Sequence, residues 1–281
     1  NTRNRPKADP VAHELTEGVT PGADTLVPQD ITVTIKQYGC LSQLTDQTVD
    51  TYEDDVPAEM KKQCGERIAL VREMIRYGTL KACTNAFYAG GGASRAAVNA
   101  KITLPLLRKI SRNLQANHAK RITGILAPSV MVATKPVEAS YLVFVSTDAE
   151  ADIRDLPGFT TVAEYGTRKP VSPYELGSVE NYRFITSPEL APYADAGADI
   201  GSTGLMGTTK VDVYPFIVVG EDAWGQLSLR GSDALDPTYI PPGQKSDPLG
   251  QRGFVGAKFY MACTMLNEGW MAVAEAGVSA L

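Results

Sequence analysis

The stretch that decides the fold runs from Val56 to Ala89 and has the sequence VPAEMKKQCGERIALVREMIRYGTLKACTNAFYA. Its larger apolar side chains recur near every 3.6 residues, the period of an amphipathic helix. That stripe consists of Met60, Cys64, Ile68, Val71, Ile75, Ala82 and Ala86. Asp54 or Asp55 can cap the start, Pro57 suits a first turn, and Gly90–Gly92 can close the end. The pattern predicts a single long helix over residues 57–89.

A helix of this length constrains the shape of the molecule. At 1.5 Å per residue it would be about 45–50 Å long, close to the diameter of a compact globule of 281 residues. Either it belongs to a flat, elongated subunit whose neighbours cover its flanks, or Gly65 and Gly78 divide it into shorter helices of an ordinary domain. The segment alone leaves both possibilities open.

Composition places the chain among globular proteins with a real core. It has 43% hydrophobic residues, enough for one large domain or two modest ones, and 32 acidic against 27 basic residues. The mild negative charge argues against a dedicated nucleic-acid binder. The absence of a long apolar run and of a basic-then-apolar leader predicts no membrane span, no signal peptide and synthesis in the cytoplasm. The chain opens on Asn1, so upstream residues were either cleaved or are not included.

The residue types that carry chemistry form no recognisable site. Cys40, Cys64, Cys83 and Cys263 show no C-x-x-C spacing, which favours buried thiols over disulfides or zinc. Only two histidines occur, without a zinc-hydrolase or serine-hydrolase signature. The glycine-rich stretches 90–94 and 201–210 lack the order of a phosphate-binding loop, and the acidic residues at 148–155 are explained by a helix N-terminus. We therefore predict no catalytic, cofactor or metal-binding residues.

The first 30 residues have the composition of an extended arm. Four prolines accompany only scattered apolar side chains, and Thr20–Ala23 has type II turn chemistry. Such a hairpin is too poor in apolar surface to be stable alone. It is either an arm that lies on another subunit or a floppy terminus.

The next segments predict strands and a second helix. Ile31, Val33 and Ile35 alternate with polar residues as in a half-buried strand, and residues 40–52 are expected to continue it. Thr103 and Pro105 can start a helix whose apolar face is Leu104, Leu107, Ile110 and Leu114. A basic cluster surrounds that helix: Arg108, Lys109, Arg112, Lys120 and Arg121. A solvated face or a salt-bridging subunit contact explains it better than nucleic-acid binding.

The remainder of the chain mixes strands with short helices. The apolar run Tyr141–Val145 predicts a strand covered on both faces, followed by a capping box of Thr147 and Glu150. Strands are also expected at 182–186 and at 211–219, the latter at a sheet edge because it contains Pro215. Residues 193–209 have loop composition, and the segment from 247 is expected to form paired strands that pack on the long helix. Without a regular βαβ repeat, the fold class is α+β.

Several long stretches together resemble a known family. They are LTEGVTP at 15–21, RYGTLKACTNAFYA at 76–89, RAAVNAKITLPLLRKISRNLQAN at 95–117, VFVSTDAEADIRDLPGF at 143–159, VDVYPFIVVGEDAWG at 211–225 and DPLGQRGFVGAKFYMACTMLNEGWMA at 247–272. The chain resembles major capsid proteins of tailed bacteriophages with the Hong Kong 97-type coat fold, in the group similar to the coat protein of podophage N-four.

The resemblance implies a division of the chain. Residues 1–30 would be the extended loop, 31–97 the peripheral domain with its spine helix at 57–89, 98–245 the axial domain, and 246–281 the return strands of the peripheral domain. The loop at 193–210 would be a group-specific insertion. The subunit contacts expected on this basis are Leu15, Thr16, Glu17, Gly18, Val19, Arg252, Phe254 and Trp270.

The function implied is assembly rather than catalysis. Copies would form hexamers and pentamers of an icosahedral shell around double-stranded DNA, in the virion, after assembly in the bacterial cytoplasm. Partners would include the portal and scaffold or decoration proteins, with no cofactor and no membrane. Two alternatives remain: an encapsulin-like compartment shell around a cargo protein, and a cytoplasmic α+β enzyme whose site the motifs do not reveal.

Overall fold

The computed structural model describes residues 14–15, 17–19, 30–126, 134–166, 168–201, 203–229, 237–243 and 248–280. Its helices are α1 (Asp46–Thr51), α2 (Val56–Leu80), α3 (Leu104–Ala116) and α4 (Glu150–Arg154). Its strands are β1 (Lys36–Thr45), β2 (Ala86–Tyr88), β3 (Ile122–Leu126), β4 (Thr134–Ser146), β5 (Thr160–Thr161), β6 (Glu175–Val179), β7 (Tyr182–Ser187), β8 (Tyr214–Val219), β9 (Trp224–Ser228), β10 (Thr238–Ile240), β11 (Arg252–Met265) and β12 (Met271–Ala276). The mixture of helices and strands agrees with the predicted α+β class.

The larger sheet has the order β2-β12-β8-β4-β7-β6-β5, with β3 paired to β4 outside that path. The β4/β7 and β12/β2 pairs are parallel, and the other pairs are antiparallel. The predicted strand Tyr141–Val145 is the C-terminal part of β4, where it pairs with β7 and β8. It is buried on both faces apart from half-buried Phe144, as its continuous apolar run indicates.

Helices cover the two faces of this sheet unequally. Phe216 and Val218 of β8 point to the face where α3 and α4 pack, whereas Ile217 and Val219 point to the face that receives the end of α2. Successive side chains of a strand point to opposite faces, so α3 and the end of α2 lie on opposite sides of the sheet. The large sheet is therefore the middle layer of a sandwich.

The smaller sheet is built on β11. β1 pairs with it antiparallel along ten residues, from Lys36 opposite Met261 to Thr45 opposite Arg252, and β9 and β10 pair along its other edge. One face of this sheet packs on α2 through Leu44, Val255, Phe259 and Met261. The prediction that the C-terminal segment packs on the long helix is confirmed for β11. β12 does not pair with β11 as expected but with β8 in the larger sheet, where Met271 and Val273 join the cluster that holds Tyr77 and Leu80 of α2.

The long helix is shorter than the sequence predicted. It begins with Asp55 as N-cap and Pro57 in the first turn, as expected, but ends at Leu80 instead of residue 89. Residues 86–88 form a strand parallel to β12. Ala82 and Ala86 continue the helical period, but alanines bury little apolar surface, so a longer helix would gain little. Residues 86–88 pair with β12 instead. Gly65 and Gly78 lie inside the helix and do not divide it.

The strand before α2 is displaced along the sequence. Residues 31–35 are outside the strand, which covers Lys36–Thr45, and residues 46–51 form α1 instead of continuing it. The partner strand sets the end of β1, because β11 begins at Arg252, opposite Thr45, and has no residue to pair with 46–51. Thr45 then caps α1 by accepting a hydrogen bond from the Thr48 N–H at 3.4 Å.

The second helix agrees with its prediction. It begins after Thr103 and buries Leu107, Ile110 and Leu114 completely, with Leu104 half-buried beside them. Thr103 occupies the N-cap position without a side-chain hydrogen bond to the helix. This face joins the core on one side of the large sheet.

Three local predictions differ from the structure. β8 is not an edge strand, because it lies between β12 and β4. Its ladder with β4 starts only at Ile217, so the missing N–H of Pro215 breaks no bond there. The capping box at Thr147 is not formed, since Ser146 accepts from the Asp148 N–H instead. Residues 193–209 lack regular helices and strands as predicted, but they bury Leu205.

Candidate assembly surfaces

The outer face of the smaller sheet carries several exposed apolar side chains. Side chains on this face alternate with those that pack on α2, so its composition follows from the period of two along β1 and β11. Leu41 is 67% exposed and lies opposite Gly256. The exposed apolar residues of this face are Leu41, Leu227, Ile240 and Tyr260. Within one protomer, no described element covers them.

Two of the predicted contact residues border this face. Phe254 is half-buried and lies between Gln43 of β1 and Ile240 of β10. Arg252 is exposed at the start of β11, opposite Thr45. Both positions are at the end of the sheet near α1. The structure therefore groups Arg252 and Phe254 with an apolar face that the sequence did not single out.

The N-terminal contact residues are exposed where they are described. Leu15 is 72% and Val19 64% exposed, and neither lies in a hydrophobic cluster formed by the described residues. Gly18 has φ +79°, in the region that favours glycine, and forms part of a turn with Glu17. Thr16 and the turn predicted at residues 20–23 lie outside the described residues. Two large aliphatic side chains thus remain without apolar cover.

Trp270 differs from the other predicted contact residues. It lies just before β12, packs at the margin of the cluster around Tyr77 and Met271, and donates its indole N–H to the Asn117 carbonyl at 3.0 Å. These contacts link β12 to the end of α3 within the protomer. Its part in a subunit contact stays a prediction.

The acidic residues near α4 have structural partners. Asp148 accepts a hydrogen bond from the Tyr214 hydroxyl at 2.9 Å, and Glu150 pairs with Arg154 one turn later. Buried Asp152 binds Lys101 at 3.0 Å and both the N–H and hydroxyl of Ser279. Burial opposes ionisation of Asp152, but these donors outweigh it and lower its pKa below the ordinary value.

A second buried pair fixes the end of the large sheet. Glu175 on β6 lies 3.5 Å from Arg183 on β7, accepts from the Tyr165 hydroxyl at 2.7 Å and accepts from the Val171 N–H. Burial, reinforced by the carboxylate, raises the pKa of Tyr165 to about 12. Arg183 also donates to the Lys169 carbonyl at 3.0 Å, so the group ties β6 and β7 to the loop before β6.

The described residues offer no arrangement for metal or nucleophilic chemistry. Among them no group of histidine, cysteine and carboxylate side chains could hold a metal ion. All four cysteines are free thiols; Cys64 and Cys83 are buried, whereas Cys40 and Cys263 are half-buried. Burial raises the pKa of Cys64 to about 11. His118 is exposed, and His13 lies outside the described range. No helix in the described part of the chain has the length and hydropathy of a membrane span.

Comparisons with known proteins identify the architecture. The capsid of Ralstonia phage GP4 matches with a TM-score of 0.62 and 11% identity, covering 95% of this chain and 82% of that chain. The head structure of Helicobacter pylori bacteriophage KHP40 matches with a TM-score of 0.57 and 11% identity, covering 87% and 74% of the two chains. The chain has the fold of phage capsid proteins. The expected phage coat fold is therefore confirmed.

Sequence comparison points the same way as the capsid fold. The chain is 21% identical over 262 residues to the major capsid protein of Pseudomonas phage KPP21, a match that covers 85% of this chain. The chain spans 65% of the length of that relative. No protein-family model matches the chain.

Motif search could not have found these candidate assembly surfaces. Leu41, Tyr260 and Leu227 are ordinary strand residues, and their exposure depends on which face of the sheet α2 covers. The available signal was the alternation along RGFVGAKFYMACTM at 252–265, in which both alternating sets contain apolar residues. A strand with two apolar faces requires cover on both of them.

Proposed function

We propose that this chain is the major capsid protein of a tailed bacteriophage and acts by self-assembly rather than catalysis. One observation carries the proposal: the capsid fold extends along nearly the whole chain, with 95% of it matched by the Ralstonia phage GP4 capsid. The sequence similarity to a phage major capsid protein, over 85% of the chain, supports the same role. The shell would be built from hexamers and pentamers.

Exposed apolar surface in the protomer supports assembly on physical grounds. The outer face of the smaller sheet and the side chains of Leu15 and Val19 lie in water in a single copy. Burying apolar surface contributes roughly 25 cal/mol per Å², so covering these groups favours association. Each contact needs only modest affinity, because a subunit in a shell is held by several neighbours at once.

The proposed domain division follows the capsid resemblance. Residues 1–30 act as an extended loop over a neighbouring subunit, 31–97 and 246–281 form the peripheral domain, and 98–245 form the axial domain, with the spine helix now limited to Val56–Leu80. β12 shares its sheet with β4 and β8, so the two domains would be continuous through that sheet. Within the family, we place the chain in the group of podophage N-four.

The proposed surroundings are those of a phage head. The shell encloses double-stranded DNA without sequence-specific binding, which is compatible with a net charge of −5. Portal, scaffold and decoration proteins are its proposed partners, and assembly takes place in the bacterial cytoplasm before the protein resides in the virion.

Electron microscopy of the purified protein tests the proposal. Expression in a bacterial host should give closed shells or capsomer-sized rings, with hexameric and pentameric capsomers in class averages. A discrete monomer or dimer at high concentration that turns over a small substrate would instead support the enzyme alternative. Particles that hold a specific protein cargo instead of DNA would support the encapsulin-like alternative.

Removal of the first 30 residues tests the extended loop. The truncated chain should keep its circular-dichroism spectrum and cooperative unfolding, because both sheets lie outside the deleted segment. Shells should fail to form or should dissociate at lower denaturant concentration than those of the full chain. Unimpaired assembly of the truncated chain would contradict the role given to this segment.

A further inference from the structure

Charge is strongly segregated along this chain. Between Glu73 and Glu138 there is no aspartate or glutamate, although acidic residues outnumber basic ones overall. The same interval contains ten basic residues: Arg76, Lys81, Arg95, Lys101, Arg108, Lys109, Arg112, Lys120, Arg121 and Lys135. Since the chain is acidic overall, the other segments are correspondingly richer in negative charge. One part of the subunit is thus a local positive region.

Some of these cations are neutralised within the protomer. Arg95 pairs with Glu275, Lys101 with Asp152, and Arg108 with Glu180. These pairs leave other cations of the interval without a carboxylate among the described residues, including those on the solvent side of α3 and in the turn after it.

Three exposed cations on that side have no acidic partner among the described residues. They are Lys109, Arg112 and Lys120, which we call the basic face. Lys109 lies 5.7 Å from the ring centre of Phe87, a contact that leaves its charge uncompensated. Lys109 and Arg112 are three residues apart on α3, so they share one side of the helix. The buried stripe of α3 fixes that side outward.

A segment of opposite charge lies elsewhere on the same chain. Residues 46–59, which we call the acidic segment, contain Asp46, Asp50, Glu53, Asp54, Asp55 and Glu59 and no basic residue. Asp50, Glu53 and Asp54 are exposed. Tyr52 is 65% exposed among them and offers an aromatic ring to a cation.

The two surfaces cannot meet within one protomer. The acidic segment lies at the start of α2, and α2 is about 37 Å long from its 25 residues. The end of α2 packs on one face of the large sheet, whereas α3 packs on the other. Any contact between the basic face and the acidic segment must therefore join two copies.

We propose that the basic face of one subunit binds the acidic segment of a second copy. The two surfaces differ, so the contact is head-to-tail, and repeating it generates a ring or an extended array. This specifies an interface of the assembly proposed above and rests on that proposed function. Packaged DNA is the less favoured occupant, because three free cations neutralise few phosphates, whereas an acidic surface of matching size is present on every copy.

Charge reversal on each side tests this contact. The first variant is Lys109→Glu/Arg112→Glu/Lys120→Glu, and the second is Asp50→Lys/Glu53→Lys/Asp54→Lys. A matched control reverses three exposed basic residues elsewhere: Arg67→Glu/Lys169→Glu/Lys210→Glu. Circular dichroism and thermal unfolding establish that each variant is folded. Light scattering then measures the protein concentration at which half of the chain assembles.

Each one-sided reversal should raise that concentration about tenfold, because several like-charge contacts replace attractive ones. The effect should shrink as salt approaches 1 M. Combining both reversals in one chain should restore assembly, since attraction is then regained with the signs exchanged. The control should assemble like the unmodified chain.

Three results would overturn the proposal. They are normal assembly by both one-sided variants, equal impairment by the control, and no recovery in the combined variant. Loss of binding to double-stranded DNA in a gel-shift assay, together with that lack of recovery, would assign the basic face to DNA. If the unmodified chain forms no shells, the proposed function fails separately. Sedimentation of the same variants at low salt then measures self-association. Recovered self-association in the combined variant supports the proposed contact, and failure to recover overturns it.

Discussion

Arg95 donates two parallel hydrogen bonds to the carboxylate of buried Glu275, each 2.7 Å long. Glu275 lies on β12 and is 2% exposed, and the Arg95 guanidinium also lies 3.5 Å from the ring centre of Tyr193. A bidentate pair of this kind fixes both the distance and the plane of its partners. The contact ties the segment after the glycine-rich turn, and the loop that carries Tyr193, to β12 of the large sheet.

Replacing Arg95 should therefore cost more than a surface ion pair. Arg95→Met leaves the Glu275 carboxylate buried without its partner, and we expect the free energy of unfolding to fall by about 3 kcal/mol. Urea denaturation followed by circular dichroism measures the change. The double variant Arg95→Met/Glu275→Gln should recover part of the loss, because the uncompensated charge is gone. A loss below about 0.5 kcal/mol in the single variant would mean that the pair contributes no more than an exposed one.

Asp152 should make stability depend on pH in the acidic range. Its folded-state pKa is lowered, so its contribution is fully present above the unfolded value of about 4 and is lost as pH falls through the folded value. Asp152→Asn should lower the melting temperature at pH 7, and the difference from the unmodified chain should narrow below about pH 4. Thermal unfolding of both chains across pH 2–7 measures this difference in melting temperature. A constant difference across that range would contradict the role of ionised Asp152.

Gly65 should be a site where substitution stabilises the protein. It lies inside α2, where an added Cβ would meet no atom within 4 Å, so Gly65→Ala gains helix propensity without a clash. We expect a gain of about 1 kcal/mol in the free energy of unfolding. The matched control is Gly177→Ala, whose Cβ would lie 2.5 Å from the Thr160 carbonyl oxygen and should destabilise the large sheet. Denaturant titration of both variants decides the point, and a loss of stability in Gly65→Ala would refute the open geometry.

The outer face of the smaller sheet should affect assembly without affecting folding. Leu41→Asp places a charge on an exposed apolar position, so the melting temperature should change little while shells form poorly. Gln43→Asp adds the same charge to the same face of β1 at an already polar position and should assemble better than Leu41→Asp. Electron microscopy and light scattering compare the two. Equal assembly by both variants would remove this face from the contact surfaces.

The best sequence predictions were those of elements whose apolar pattern matches their burial in the folded core. The face of α3 that holds Leu107, Ile110 and Leu114 is buried as its period indicates, and the apolar run at 141–145 is a central strand. In both cases the local preference and the burial demanded by the core coincide, so one window of sequence was sufficient. The start of α2 belongs to the same group, because Asp55 caps it with a local hydrogen bond of 3.1 Å.

Predictions failed where a distant partner decided the outcome. The helical period continues past Leu80, but residues 86–88 pair with β12, which lies more than 180 residues away in the sequence. Pro215 indicates an edge by itself, yet β8 is internal because β4 and β12 flank it and the β4 ladder starts beyond the proline. No local window contains either partner.

The sequence by itself determined the period of α2 and α3, the central strand at 141–145, the mixed class and the likeness to phage coat proteins, because these depend on side-chain order along the chain. Only the tertiary structure decided where α2 ends, which sheet receives β12, and which residues stay uncovered. The exposure of a side chain depends on which element packs against it. Leu41 and Leu44 are both leucines of β1, and only the position of α2 leaves the first in water and buries the second.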